Sequence, residues 1–154
     1  SEPSVHLAAW PQAPEIGLDE AGQQRWTAFR AIRNVVMKAL EEERMKRVIG
    51  SPLEAQVTLV VDDPRLRQLC ETYRETLAEA FVVSHVNVQT NGTTGASARA
   101  VPGLVDVKVE RAPGGKCERC WKHLTSVGAA ADHPQLCERC VRVVSTLTKD
   151  TPWP

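Results

Sequence analysis

Apolar residues recur at steps of three and four through the first third of the chain. The residues on this face are Trp26, Phe29, Ile32, Val36 and Leu40. Such spacing is typical of an amphipathic α-helix. Asp19 is a favourable N-cap, and Gly50, followed by Pro52, is a favourable stop. These signals predict one long helix over residues 19–50, which needs a neighbour to cover its apolar face. Residues 1–18 contain three prolines and no sustained period, so they are predicted to form an extended lead-in.

Shorter patterns follow in the middle of the chain. Residues 55–61 alternate with a period of two, as a half-buried strand does. Asp63 and Pro64 begin a second helical pattern that continues to Phe81. Valines alternate with polar residues over 83–89 and again over 104–111, which predicts two strands joined by a loop of small residues. The order helix, strand, helix, strand, strand indicates an α+β fold, with a small α/β layer over residues 51–110.

Composition limits the class of protein. The chain has 154 residues, of which 42% are hydrophobic and 25% charged, and its formal net charge is zero. Such a chain is expected to be globular. Its apolar runs are too short to cross a bilayer, and its first residues lack the basic start and apolar block of a signal peptide, so we expect a cytoplasmic protein with no membrane partner. Because thiols in that compartment stay reduced, paired cysteines there indicate metal or redox chemistry.

Four of the five cysteines form two C-x-x-C pairs, Cys117 with Cys120 and Cys137 with Cys140. Sixteen residues separate the pairs, which fits the spacing of zinc sites with four cysteine ligands. We therefore predict one structural Zn2+ with a closed shell of four thiolates, in a zinc-knuckle module over residues 111–154. Iron and a redox dithiol pair are the alternatives. Cys70 lies on the apolar face of the second helix and is predicted to be a buried core thiol.

Charge is distributed unevenly. Residues 111–149 carry seven cations and three anions, a net charge of +4, whereas residues 51–110 carry a net charge of −3. The cations near the cysteines either offset the charge of −2 on a zinc ion with four thiolates or form a surface for an RNA strand, and Trp121 either fills the module's core or stacks on a base. The candidate RNA-binding residues are Arg119, Trp121, Lys122, His123, Arg139 and Arg142. No P-loop, zinc-protease or nucleophile motif is present, so no catalytic residue is assigned.

Four stretches of the sequence carry a resemblance: SVHLAAWP, ALEEERMKRVIGSPLEAQVTL, FVVSHVNV and VKVERAPGGKCERCWKH continuing to HPQLCERCV. Together they are similar to the C-terminal region of bacterial-type isoleucyl-tRNA synthetases. Pro52 departs from the family's usual serine, and residues 90–102 match nothing diagnostic. The His-Ile-Gly-His and Lys-Met-Ser-Lys-Ser signatures of the family's catalytic core are absent from these 154 residues.

The resemblance implies that residues 19–50 end the anticodon-binding region, that residues 51–110 form a junction domain, and that the four paired cysteines hold a zinc ion needed for tRNA engagement. The parent enzyme would be a class I aminoacyl-tRNA synthetase, an isoleucine–tRNA ligase that uses ATP. The partners implied are isoleucine-accepting tRNA and the remainder of the synthetase chain. Two alternatives stay open: a DNA-binding zinc finger of the formamidopyrimidine-DNA glycosylase kind, and a purely structural zinc-stapled module.

Overall fold

A computed structural model describes residues 4–12, 17–90, 99–101 and 105–150. Its first long element is helix α1, Glu20–Met45. The Asp19 carboxylate accepts a hydrogen bond of 2.7 Å from the Gly22 amide and caps the helix as predicted. The helix ends before Gly50, because Arg47 adopts a left-handed conformation with φ 60°. The Val48 amide then bonds to the Glu43 carbonyl and the Arg47 amide to the Arg44 carbonyl, a Schellman ending built on arginine.

The helix predicted from Pro64 to Phe81 is divided into three parts. Helix α2 spans Pro64–Thr72, a 3-10 turn spans Arg74–Thr76, and helix α3 spans Leu77–Phe81. Two threonine hydroxyls at the break, those of Thr72 and Thr76, donate to the carbonyls of Gln68 and Tyr73. Such bonds compete with the regular helical pattern. The single-helix prediction is therefore wrong in this stretch, although its apolar face is retained.

Four strands form one sheet. Strand β1 is Ala55–Val61, β2 is His85–Gln89, β3 is Arg99–Val101 and β4 is Val105–Arg111. Their order is β2-β1-β4-β3, with β1 parallel to β2 and antiparallel to β4. Strand β3 pairs with β4 inside the stretch that the sequence predicts as a loop, so that part of the loop prediction is wrong. The rest of the predicted loop lies largely outside the described residues.

One hydrophobic core joins α1 to the sheet. Val36 from α1, Val57 and Leu59 from β1 and Phe81 from α3 are all fully buried in it. Helix α1 is thus a layer of the same packed unit as the strands, which we call the α/β unit (residues 20–111). The α+β class is confirmed. The division of this unit into two domains at residue 50 stays a prediction.

The described residues that follow the sheet form the metal module, residues 112–150. It contains a two-stranded ribbon, β5 (Gly115–Lys116) and β6 (His123–Leu124), and helix α4, Glu138–Asp150. The sequence patterns above predict neither the ribbon nor α4. Within the described ranges, no helix has the length and apolar character needed to cross a bilayer.

Candidate metal centre

The four paired cysteines converge at one point of the metal module. Their sulfur atoms all lie within 4.8 Å of one another, and the Sγ atoms of Cys120 and Cys137 are 3.8 Å apart. Four sulfurs at about 2.3 Å from a tetrahedral zinc ion are about 3.8 Å from each other. The same distance is far beyond that of a disulfide, and all five cysteines are free thiols. The geometry therefore fits a single tetrahedral metal ion.

Local backbone geometry explains why the thiols converge. In the first knuckle the Trp121 amide bonds to the Cys117 carbonyl at 2.8 Å, and the Cys117 amide bonds to the Lys122 carbonyl at 2.9 Å. The second knuckle continues into α4, so Cys137 and Cys140 lie at the positive end of a helix, which favours thiolates. The Cys137 amide also donates to the sulfur of Cys117 at 3.4 Å, which links the two knuckles directly.

In the metal-free cluster, the cysteine thiols differ in their pKa values. Burial opposes ionisation of Cys117, but hydrogen bonds from the backbone amides of Cys120, Cys137 and Arg119 outweigh it and lower the pKa of its thiol to about 6. Burial raises the pKa of Cys120 to about 12, and it also raises the pKa of Cys137. A divalent ion replaces the protons of these two thiols when it binds. Cys70, away from the cluster in the α/β core, has a pKa raised by burial to about 11 and is an inert core thiol, as predicted.

Four of the six candidate RNA-binding residues are exposed on the metal module: Arg119, Trp121, Arg139 and Arg142. The Trp121 ring is 61% exposed and does not belong to the module's small core. Its backbone is left-handed, with φ 64°. The ammonium of Lys116 lies 5.8 Å from the ring centroid, so Lys116, which is not among the six candidates, belongs to this surface as well.

The other two candidates, Lys122 and His123, face the α/β unit. The Lys122 ammonium pairs with Glu79 at 2.9 Å, and its side chain is only 16% exposed. The His123 amide donates to the hydroxyl of Ser84 at 2.7 Å. The His123 carbonyl oxygen lies 3.1 Å from Nε2 of His85. Contact with RNA through these two residues stays a prediction, and the structure gives the Lys122 ammonium and the backbone polar atoms of His123 partners within the protein.

Comparison with known proteins places the chain in a family. The family model described as "Zinc finger found in FPG and IleRS" matches residues 114–143. An isoleucine–tRNA ligase from Syntrophotalea carbinolica is 44% identical over 92% of the chain. Those from Geobacter sulfurreducens and Thermotoga maritima are 39% and 38% identical over 94% and 92% of it. The chain is a segment of the isoleucine–tRNA ligase family.

The segment spans about 15% of the length of these relatives. The similarity extends well beyond the zinc finger and includes the α/β unit, so the finger and the sheet belong together in the ligase family. Zinc is the metal named by the matching family, and four convergent thiols supply a closed shell for it. The segment thus carries one structural Zn2+ ion held by cysteines, as the sequence predicts.

Proposed function

We propose that this chain is the zinc-stabilised, tRNA-engaging part of an isoleucine–tRNA ligase. In this proposal the full-length enzyme attaches isoleucine to its tRNA with ATP, in catalytic domains outside these residues. The exposed surface of Lys116, Arg119, Trp121, Arg139 and Arg142 meets the anticodon region. We place the enzyme in the cytoplasm, where the four thiols stay reduced and available to the metal.

The observation that carries the proposal is the exposed Trp121 ring with the Lys116 ammonium 5.8 Å from its centroid. A large aromatic side chain left outside the module's core is available to stack on an unpaired base. The Lys116 ammonium beside the ring and the exposed Arg139 and Arg142 side chains of the same module provide the phosphate contacts that single-stranded RNA requires. A purely structural zinc module explains the cysteines but gives no reason for this exposed ring.

Trp121→Gly is the sharpest test, because glycine removes the ring and suits the left-handed backbone at this position. In the full-length ligase, we expect isoleucine tRNA to bind about 1–3 kcal/mol more weakly, with the zinc content unchanged. Trp10→Ala is the matched control, since Trp10 is also exposed but lies in the lead-in, and it should bind as the parent does.

The class of nucleic acid is tested with the same variants. Binding to isoleucine tRNA and to an abasic DNA duplex is compared at two salt concentrations, because phosphate contacts make affinity fall with salt. Preference for the duplex would favour the DNA-repair alternative. Equal binding of tRNA by Trp121→Gly and the parent would refute the proposal.

A second surface fits the remainder of the ligase chain. The first turns of α1 form a groove of about 390 Å³ against the Arg74–Thr76 turn, lined by Leu18, Gly22, Trp26, Phe29, Tyr73 and Ala80 among others. Trp26 stacks on Phe29 at 5.7 Å and yet is 55% exposed. Arg25 is the single cation among the described residues that line it, which suits an apolar protein segment better than a phosphate backbone.

We propose that residues 19–50 form the last part of the anticodon-binding region. In the full-length ligase, the groove then packs against another part of the chain. Hydroxyl-radical footprinting should find Trp26 protected in the full-length ligase and reactive in the 154-residue chain. Equal reactivity in both proteins would contradict this packing.

A further inference from the structure

In the described part of the chain, three side chains of the α/β unit hydrogen-bond to the metal module. They are Glu79 in α3, Ser84 at the turn before β2, and His85 at the start of β2, and we call them the seat. Each contacts Lys122 or His123, the residues that follow closely on the first zinc knuckle. The seat therefore lies directly beside the metal site.

Ser84 is the centre of the seat and is only 5% exposed. Its hydroxyl donates to the Leu53 carbonyl and accepts the His123 amide at 2.7 Å. One hydroxyl thus satisfies a carbonyl of the α/β unit and an amide of the metal module. Loss of that hydroxyl would leave both backbone groups without this partner in a largely buried position, which is costly.

His123 is held at both of its backbone polar atoms. Its amide bonds to Ser84, and its carbonyl accepts a hydrogen bond from His85 when the proton is on Nε2. His123 also pairs with Lys116 across the β5–β6 ribbon. Because the ribbon carries Lys116 beside the Trp121 ring, fixing His123 also fixes the direction in which that ring faces.

The chain between the two units is held as well. The Ala112 amide donates to the Glu54 carbonyl at 2.7 Å. Gly114, with φ 91°, packs so closely on the backbone of Leu124 that a Cβ atom would lie 2.2 Å from the Leu124 carbonyl carbon. Residues 112–114 therefore bring the ribbon back onto the seat, and only glycine fits at this close approach.

We infer that the seat is a positioning site, which sets the orientation of the exposed Trp121 surface relative to the α/β unit. The inference rests on the proposed function in that the oriented surface is the one that engages tRNA. Lys122 then acts by pairing with Glu79 inside the protein rather than by contacting a phosphate. A weakened seat leaves the zinc ion in place but lets the module turn, so tRNA affinity falls.

The first test removes the Ser84 hydroxyl in the full-length ligase. For Ser84→Ala we expect one zinc ion per chain and an unchanged kcat. The KM for tRNA should rise about tenfold, because one buried hydrogen bond is lost. The His123 amide should exchange its hydrogen faster. Ser51→Ala is the matched control, since the Ser51 hydroxyl bonds within the α/β unit to the Leu53 amide and does not touch the module. Loss of zinc, or unchanged KM and exchange, would overturn the inference.

The second test separates orientation from direct RNA contact by charge reversal. Glu79→Lys and Lys122→Glu each bring like charges together and should raise the KM for tRNA. The double variant restores an ion pair of opposite polarity and should recover most of the affinity and the exchange protection of residues 117–124. If the double variant binds tRNA as weakly as Lys122→Glu alone, Lys122 contacts the RNA and the inference fails.

The two proposals fail in different ways. If Trp121→Gly binds tRNA as the parent does, the proposed function is wrong. Recovery of exchange protection in the charge-reversed double variant supports the seat whatever Trp121 does, because it reports the packing of the module and not RNA binding. Absence of that recovery counts against the seat even when Trp121 proves to contact the RNA.

Discussion

Replacing one zinc ligand should unfold the metal module and leave the α/β unit folded. Cys137→Ser is the most informative change, because Cys137 is 1% exposed and its amide donates to the sulfur of Cys117. Serine is a poor ligand for zinc compared with a thiolate, and three cysteines leave the coordination shell open. The variant is therefore expected to release the metal.

The magnitude follows from how little else holds the module together. Apart from the cysteines, the core formed by its described side chains contains three partly buried aliphatic residues, Leu124, Val127 and Leu136. At no more than about 2 kcal/mol each, they contribute about 6 kcal/mol at most. Zinc binding contributes about 10–16 kcal/mol in modules of this kind. The metal contributes more than the apolar side chains do, so its loss removes most of the module's stability.

Hydrogen exchange followed by mass spectrometry, with zinc analysis of the same samples, measures the outcome. In Cys137→Ser, amides in residues 117–141 should exchange at the rate of an unfolded chain, whereas those of β1 and β4 should stay protected. Cys70→Ser is the matched control: it makes the same chemical change inside the α/β core, so it should keep its zinc and lose about 1–3 kcal/mol from the α/β unit. Persistent protection of residues 117–141 in the zinc-free protein would refute this reasoning.

Three further predictions concern other parts of the chain. Zinc affinity, measured by competition with a chelator, should fall by at least about 100-fold when the pH is lowered from about 7.5 to 6.5. Zinc binding displaces protons from Cys120 and Cys137, whose pKa values are raised, and lower pH favours those protons. An affinity that does not depend on pH would contradict this. Phe81→Ala should destabilise the α/β unit by about 3–5 kcal/mol in urea without loss of zinc, since the ring is fully buried and stacks on Phe29. Val82→Gly should stabilise the α/β unit by about 0.5–1 kcal/mol, because valine at φ 58° is strained. Val82→Ala is the control: it keeps a Cβ atom on a left-handed residue, so its gain in stability should be smaller.

Elements whose position depends on local sequence signals are predicted well. Strand β1 begins and ends where its period-two alternation does, and Asp63 with Pro64 begins α2 as predicted. The spacing of the cysteine pairs likewise predicts the cluster, because two short turns bring four thiols together without help from distant residues. Helix α4 could also have been found, since Cys137, Cys140, Val141 and Val144 recur at helical spacing.

Other features depend on backbone strain or on distant contacts. Helix α1 ends at Met45, before the stop predicted at Gly50, and this earlier end has no recognisable sequence signal, because its left-handed residue is Arg47, where glycine or asparagine is the usual residue. Strand β3 has little pattern of its own and is defined by pairing with β4. The seat joins Ser84 to His123 across 39 residues, and no local pattern indicates such a contact. For the same reason the sequence alone does not separate Lys122 and His123 from the exposed cations.

Under the two proposals, zinc and the seat control two different properties of the exposed Trp121 surface. The metal determines whether the module is folded, and the seat determines how the folded module is oriented on the α/β unit. The two effects are therefore not independent, because Ser84 can hold His123 only when the knuckle beside it is formed. Ser84→Ala should weaken tRNA binding in the zinc-loaded ligase and add little further loss in Cys137→Ser. Equal losses in both backgrounds would mean that Ser84 acts through the α/β unit alone.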